Sequence, residues 1–158
     1  MKHKITLLAA LVLLLSCEKK DVKPGAETIS FAGDGYTVST LVEGCSIYSD
    51  NSEWTVTDIP VYFNGFQMLV NESIGEHSCR ITPDAYGMVY VVGGTDSNMP
   101  DGWQKLSGND IIITSATDQS TVTLNIYYKI AYGGNAVEIP TETGSLYPLI
   151  PIARIIKQ

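Results

Sequence analysis

The sequence predicts an all-β fold, a single antiparallel β-sandwich of Ig-like or jelly-roll-like kind, and three observations predict it. Apolar and polar residues alternate at period two over short runs, most clearly from Thr121 to Ala131. Turn signals punctuate these runs, among them Asp34-Gly35, Pro83-Asp84, Gly93-Gly94, Pro100-Asp101-Gly102 and Gly133-Gly134-Asn135. No long stretch carries helical spacing, and the abundance of Tyr, Thr, Ser, Asn and Gly favours strands joined by turns.

The chain opens on a segment that is not part of that fold. Lys2 and Lys4 precede an apolar run from Ile5 to Leu15 that only Thr6 interrupts, and Leu14-Leu15-Ser16-Cys17 follows. A charged start, a short apolar stretch and a small residue before the cut form a secretory signal. The run is shorter than the roughly 20 apolar residues that a membrane-spanning helix needs. This layout resembles bacterial lipoprotein precursors. The resemblance implies that residues 1–16 are removed and that Cys17 becomes an acylated N-terminus, on the outer membrane or cell surface of a Gram-negative bacterium. Residues 17–27 then form a polar tether with Pro24 and Gly25, too poor in apolar surface to offset the entropy of ordering. Residues 28–158 are the expected domain.

Its strands are expected in this order. Ile29–Ala32 comes first, then Tyr36–Val42, with Tyr36, Val38, Thr40 and Val42 on one side. Trp54–Thr57 alternates apolar with threonine, which places Trp54 in the core. Tyr62–Val70 and Cys79–Thr82 follow. Met88–Val92 is apolar throughout, as a strand covered on both faces should be. Trp103–Leu106 and Ile111–Thr114 are separated by the turn signal Gly108-Asn109-Asp110. In Thr121–Ala131, Val122, Leu124, Ile126, Tyr128 and Ile130 should point inward, and Thr121, Thr123, Asn125, Tyr127 and Lys129 outward. Ala136–Ile139 and Ile150–Ile156 complete the set.

Charge and residue counts limit the function. The chain has 10 basic and 17 acidic residues, a formal net charge of −7, and loss of Lys2 and Lys4 makes it more acidic still. Nucleic acid and anionic lipid surfaces reward Lys and Arg, so neither is an expected partner. His77 is the one histidine left after the signal, no Gly-x-Ser-x-Gly elbow exists, and the cysteines lack zinc-ligand spacing. Paired carboxylates for glycoside cleavage have no signature at this level. No enzyme is expected. Cys45 and Cys79 make an even pair in an oxidising compartment, either bridged or packed as two free thiols.

Two features point toward binding. Asp96, Asn98 and Asp101, followed by Gly102, have an approximate calcium-loop pattern, with an ordinary β-turn as the alternative. Trp103 beside that loop, and Tyr127 on the wet face of its strand, offer stacking surfaces for sugar rings, with the loop oxygens taking hydroxyls. Tyr132 and Tyr147 border Gly- or Pro-containing loops.

From residue 54 onward, Trp54…Ile59-Pro60, Phe63-Asn64-Gly65-Phe66-Gln67, Gly87-Met88-Val89-Tyr90, Gly102-Trp103, Ile126-Tyr127-Tyr128-Lys129 and Val137-Glu138-Ile139-Pro140 occur in that order. This resembles small β-sandwich accessory modules that stand beside glycan-degrading domains in Bacteroides-type secreted proteins. The resemblance implies a non-catalytic part in glycan foraging and transfers no catalytic residue. The expectation is therefore an anchored carbohydrate-binding module. Its alternative is a structural or protein-interaction component of the cell envelope, which an exposed apolar patch would mark.

Overall fold

The structure is a computed structural model that describes residues 27–48, 51–71, 78–141 and 143–158. Among these residues there are twelve strands and no helix. They are β1 (Thr28–Ala32), β2 (Tyr36–Thr40), β3 (Ser46–Tyr48), β4 (Asn51–Asp58), β5 (Gln67–Asn71), β6 (Cys79–Pro83), β7 (Gly87–Gly94), β8 (Gln104–Ser115), β9 (Thr121–Ala131), β10 (Val137–Ile139), β11 (Ile150–Ala153) and β12 (Ile155–Lys157). A four-stranded sheet, β10-β6-β1-β12, packs on an eight-stranded sheet, β2-β5-β11-β7-β9-β8-β4-β3. The architecture is a β-sandwich, as the sequence predicts.

One pairing departs from the expected antiparallel pattern. β12 lies parallel to β1, with Thr28 opposite Ile155. The expected strand Ile150–Ile156 breaks at Arg154, where the chain leaves the large sheet and crosses to the small one. Parallel neighbours need a long connection, and here the connection is the whole domain.

The large sheet curls on itself. Its edge strand β3 comes back into contact with β5, near the opposite edge. The segment 41–45 closes the seam: Leu41 N–H donates to Phe66 O at 2.7 Å and Gly44 N–H to Val56 O at 2.7 Å. Inside this roll lies one core, built on Leu41, Val56, Phe63, Met68, Leu124 and Ile126. The other core fills the space between the two sheets, with Ile29, Leu69, Ile81, Val91, Trp103 and Tyr127. The middle of the large sheet is thus covered on both faces. That explains the apolar run in β7, where Val89 and Val91 face one core and Tyr90 and Val92 the other.

The same double cover corrects the expectation for β9. Leu124 and Ile126 point into the roll, with Val122 and Tyr128 packed against them. Asn125 and Tyr127 are buried as well, because the small sheet covers the face expected to be wet. Ile130, expected inside, is 51% exposed, since β9 runs out past the filled part of the roll.

Other departures are local. The two strands expected around Gly108 are one long strand, β8, with a register shift between Lys105 and Asp110. Gly108 sits at φ 76°, so the turn signal marks a bulge. The expected strand from Tyr62 begins only at Gln67. Residues before it form turns, in which Phe63 N–H donates to Pro60 O at 2.8 Å and Phe66 N–H to Phe63 O at 3.1 Å. Those turns drop Phe63 and Phe66 into the roll as plugs.

Candidate functional site

The sequence-predicted stacking site does not form. Trp103 is 8% exposed and belongs to the core between the sheets. Its N–H donates to Pro100 O at 3.2 Å, a turn that swings the ring inward. Lys129 Nζ lies 6.0 Å from the ring centroid. Tyr127 is buried too. Its hydroxyl donates to Gly94 O at 2.9 Å and accepts from Asn125 Nδ2 at 3.1 Å. An enclosed ring cannot stack on a sugar, so neither residue offers a platform.

The loop is tied down locally. Ser145 Oγ donates to Asp96 Oδ1 at 2.7 Å, and Asn98 N–H donates to Thr143 O at 2.8 Å. Asp101 is exposed on the turn before Trp103. Among the described residues no three His, Cys, Asp or Glu side chains are gathered into one cluster. The Asp96, Asn98 and Asp101 segment is a loop tied to residues 143–145 by these two hydrogen bonds.

Cys45 and Cys79 are both free, which corrects the disulfide expectation. Cys45 packs against the core inside the roll, whereas Cys79 lies in the core between the sheets. The large sheet separates those two cores. Burial pushes the Cys79 thiol up to about 11, with a smaller contribution from the Glu138 charge. Burial also raises Cys45. Both thiols are therefore protonated at neutral pH. A cleft of about 130 Å³ opens beside Cys79, lined by Ala32, Gly33, Ser78 and Arg80, with the Arg80–Glu138 ion pair at its lip. It offers no aromatic surface. Cys17 and His77 lie outside the described residues.

A different surface emerges at one end of the roll. β7 and β9 pair from Gly94 opposite Leu124 to Gly87 opposite Ala131. Continuing that register one residue puts Tyr86 opposite Tyr132. Their ring centroids are 5.1 Å apart, and they are 64% and 65% exposed. The two turns that carry them touch at Gly133, where a Cβ would lie 2.7 Å from Asp84 O. Gly134 N–H donates to Pro83 O at 2.8 Å, locking the turns together. The absence of a side chain at Gly133 therefore sets the tyrosine pair.

More apolar side chains share this end. Ile130 stands opposite Met88, one step from the tyrosines on the same face. β11 runs antiparallel to β7, so Arg154 follows Ala153 at this end as well. Its guanidinium stacks over Phe66 at 4.9 Å and Tyr62 at 5.5 Å, which fixes the loop bearing Val61 nearby. Val61 is 92% exposed. Val42 follows β2, whose Thr40 pairs with Gln67 at this same end. Ile155 pairs with Thr28, the first residue of β1, and Asp84 N–H donates to Thr28 O at 3.0 Å. Of the seven exposed large hydrophobics among the described residues, six are therefore here: Val42, Val61, Tyr86, Ile130, Tyr132 and Ile155. Leu146 alone lies elsewhere, in the segment whose Leu149 packs over Gly93 at the far end of β7.

Charges around this surface are mixed. Lys157 Nζ pairs with Asp84 Oδ2 at 2.6 Å, Arg154 stands on its aromatic seat, and Glu27 and Glu43 are exposed. The β1 end of the domain, where the chain arrives from Cys17, lies within the same surface. The sequence places Tyr132 beside the Gly133-Gly134 turn, whereas Tyr86 joins it only through long-range register. Comparison of this chain with protein-family models, curated proteins and solved structures finds no match.

Proposed function

We propose that this chain is a membrane-anchored, non-catalytic lipoprotein that serves the cell envelope through contact, as a structural or interaction component. The observation that carries this reading is the gathering of six exposed apolar side chains at the end where the chain enters the domain. Scattered single hydrophobics are ordinary on protein surfaces, whereas several exposed apolar side chains at one end of a domain favour a contact surface there. The signal and Cys17 support an address outside the cytoplasm, and among the described residues no helix is long and apolar enough to cross a membrane. A photoreactive amino acid at Tyr132 and, separately, at Leu146 tests the reading in intact cells. Adducts from Tyr132 and none from Leu146 are expected. Equal labelling at the two positions would overturn it.

Carbohydrate binding is a second reading, and the Tyr86–Tyr132 pair favours it. Two exposed rings with Asp84 and Asn135 on the adjoining turns have the chemistry to stack a sugar and accept its hydroxyls. Glycan-array binding that disappears in Tyr86→Ala and Tyr132→Ala would select this reading. Absence of array binding by the wild type would eliminate it.

A further inference from the structure

We infer that the apolar end of the roll docks on the bilayer that holds the Cys17 acyl anchor. The inference rests on the lipoprotein reading and names the partner of that contact surface. Four observations lead to it.

The first is connectivity. Ten peptide units separate Cys17 from Glu27, and Glu27 O accepts from Ile155 N–H at 2.9 Å, inside the apolar end. At about 3.3–3.6 Å per residue, the link reaches roughly 35 Å at most. A domain tied by its apolar end at so short a distance holds that surface at high effective concentration over the lipid.

The second is composition. Val61, Ile130, Ile155 and Val42 are apolar, while Tyr86 and Tyr132 combine an apolar ring with a polar tip. Tyrosine of this kind is favoured at membrane–water interfaces.

Geometry supplies the third. The apolar residues come from separate segments, at residues 42, 61, 86, 130, 132 and 155, that converge at one end. An end with exposed tips on several turns suits shallow insertion. Arg154, stacked on Phe66 and Tyr62, and the Lys157–Asp84 ion pair lie beside these tips.

The fourth is charge. Glu27, Glu43 and the chain's net charge of −7 disfavour attraction to anionic lipid. The contact is therefore apolar in origin and persists on zwitterionic lipid and at high salt.

Val61 and Leu146 make a matched pair of probes, because they are 92% and 89% exposed at opposite ends of the domain. The full acylated chain with Cys45→Ser is prepared as Val61→Cys and as Leu146→Cys, spin-labelled, and reconstituted in phosphatidylcholine vesicles. Cys79 is buried and escapes the label. Collisions with a water-soluble nickel chelate and with oxygen are then compared. The label at 61 is expected to lose nickel access several-fold relative to the label at 146 and to gain oxygen access, with no reversal at high salt. Equal nickel access at the two positions on an acylated protein would overturn the docking while leaving the anchor intact. Intact mass read on the same samples separates the other failure, since a chain lacking acyl groups on Cys17 would overturn both.

Discussion

Trp103 shows how one residue's surroundings decide its role. Next to a glycine turn and an acidic loop, it has the sequence context of a stacking platform. The turn closed on Pro100 O instead sends the ring between the sheets, where it acts as core. Trp103→Ala should then cost about 3–5 kcal/mol of stability, as large-to-small core changes do. Urea denaturation measures this, and a loss near zero would return Trp103 to the surface. Tyr127 makes a companion case through its hydroxyl. Tyr127→Phe leaves the Gly94 carbonyl and the Asn125 amide without that partner, which should cost about 1–3 kcal/mol. Tyr128→Phe, whose partner Gln104 is exposed, should cost less. For the cysteines, a reducing agent should leave the melting temperature unchanged, because Cys45 and Cys79 stand in different cores. A lower melting temperature on reduction would restore the bridge.

At the scale of elements, β9 was the most readable segment, with bounds that match the sequence reading. Period-two alternation says which residues share a face, but not whether the second face is covered. That is why Asn125 and Tyr127 read as outward while the small sheet buries them. Leu124 and Ile130 share a face yet differ in cover, so the two truncations should differ. Leu124→Ala is expected to cost about 2–5 kcal/mol, while Ile130→Ala, on a half-exposed side chain, should fall within about 0.5 kcal/mol of wild type. Similar losses at both would contradict the rolled sheet. β3 escaped sequence reading because three residues are too few to show a period. The bulge in β8 has the sequence signature of a turn because Gly108-Asn109-Asp110 carries the same residues that either structure requires.

The whole molecule is held by two cores on either side of one sheet, and its ionisable groups carry a signature of that burial. Burial holds the Cys79 thiol at about 11, against 9.0 for the free group. It holds the Tyr36 and Tyr90 phenols at about 12, against 10.0. The unfolded chain releases these protons first as pH rises. Their contribution is therefore complete below pH 9.0 and disappears as pH climbs through the raised values. The urea midpoint should fall progressively across that alkaline range. A midpoint that stays constant there would contradict the burial of these groups.

The candidate surface was less legible than the fold for a related reason. Tyr86 and Tyr132 meet only through the β7–β9 register, and Val61, Ile130 and Ile155 join them through pairings distant in sequence. Local pattern can place each residue near a strand end, yet not the six at one end of a roll. What can be read locally is the motif Leu14-Leu15-Ser16-Cys17, on which the proposed anchor rests. The proposal of an envelope lipoprotein that works by contact depends on that cysteine most of all. Intact mass of the protein purified from membranes, with Cys17→Ala as control, tests it most directly. The account predicts a chain that begins at an acylated Cys17 and a control that carries no acyl group and leaves the membrane fraction. A wild-type chain without acyl groups, or a control that fractionates with membranes as the wild type does, would contradict it.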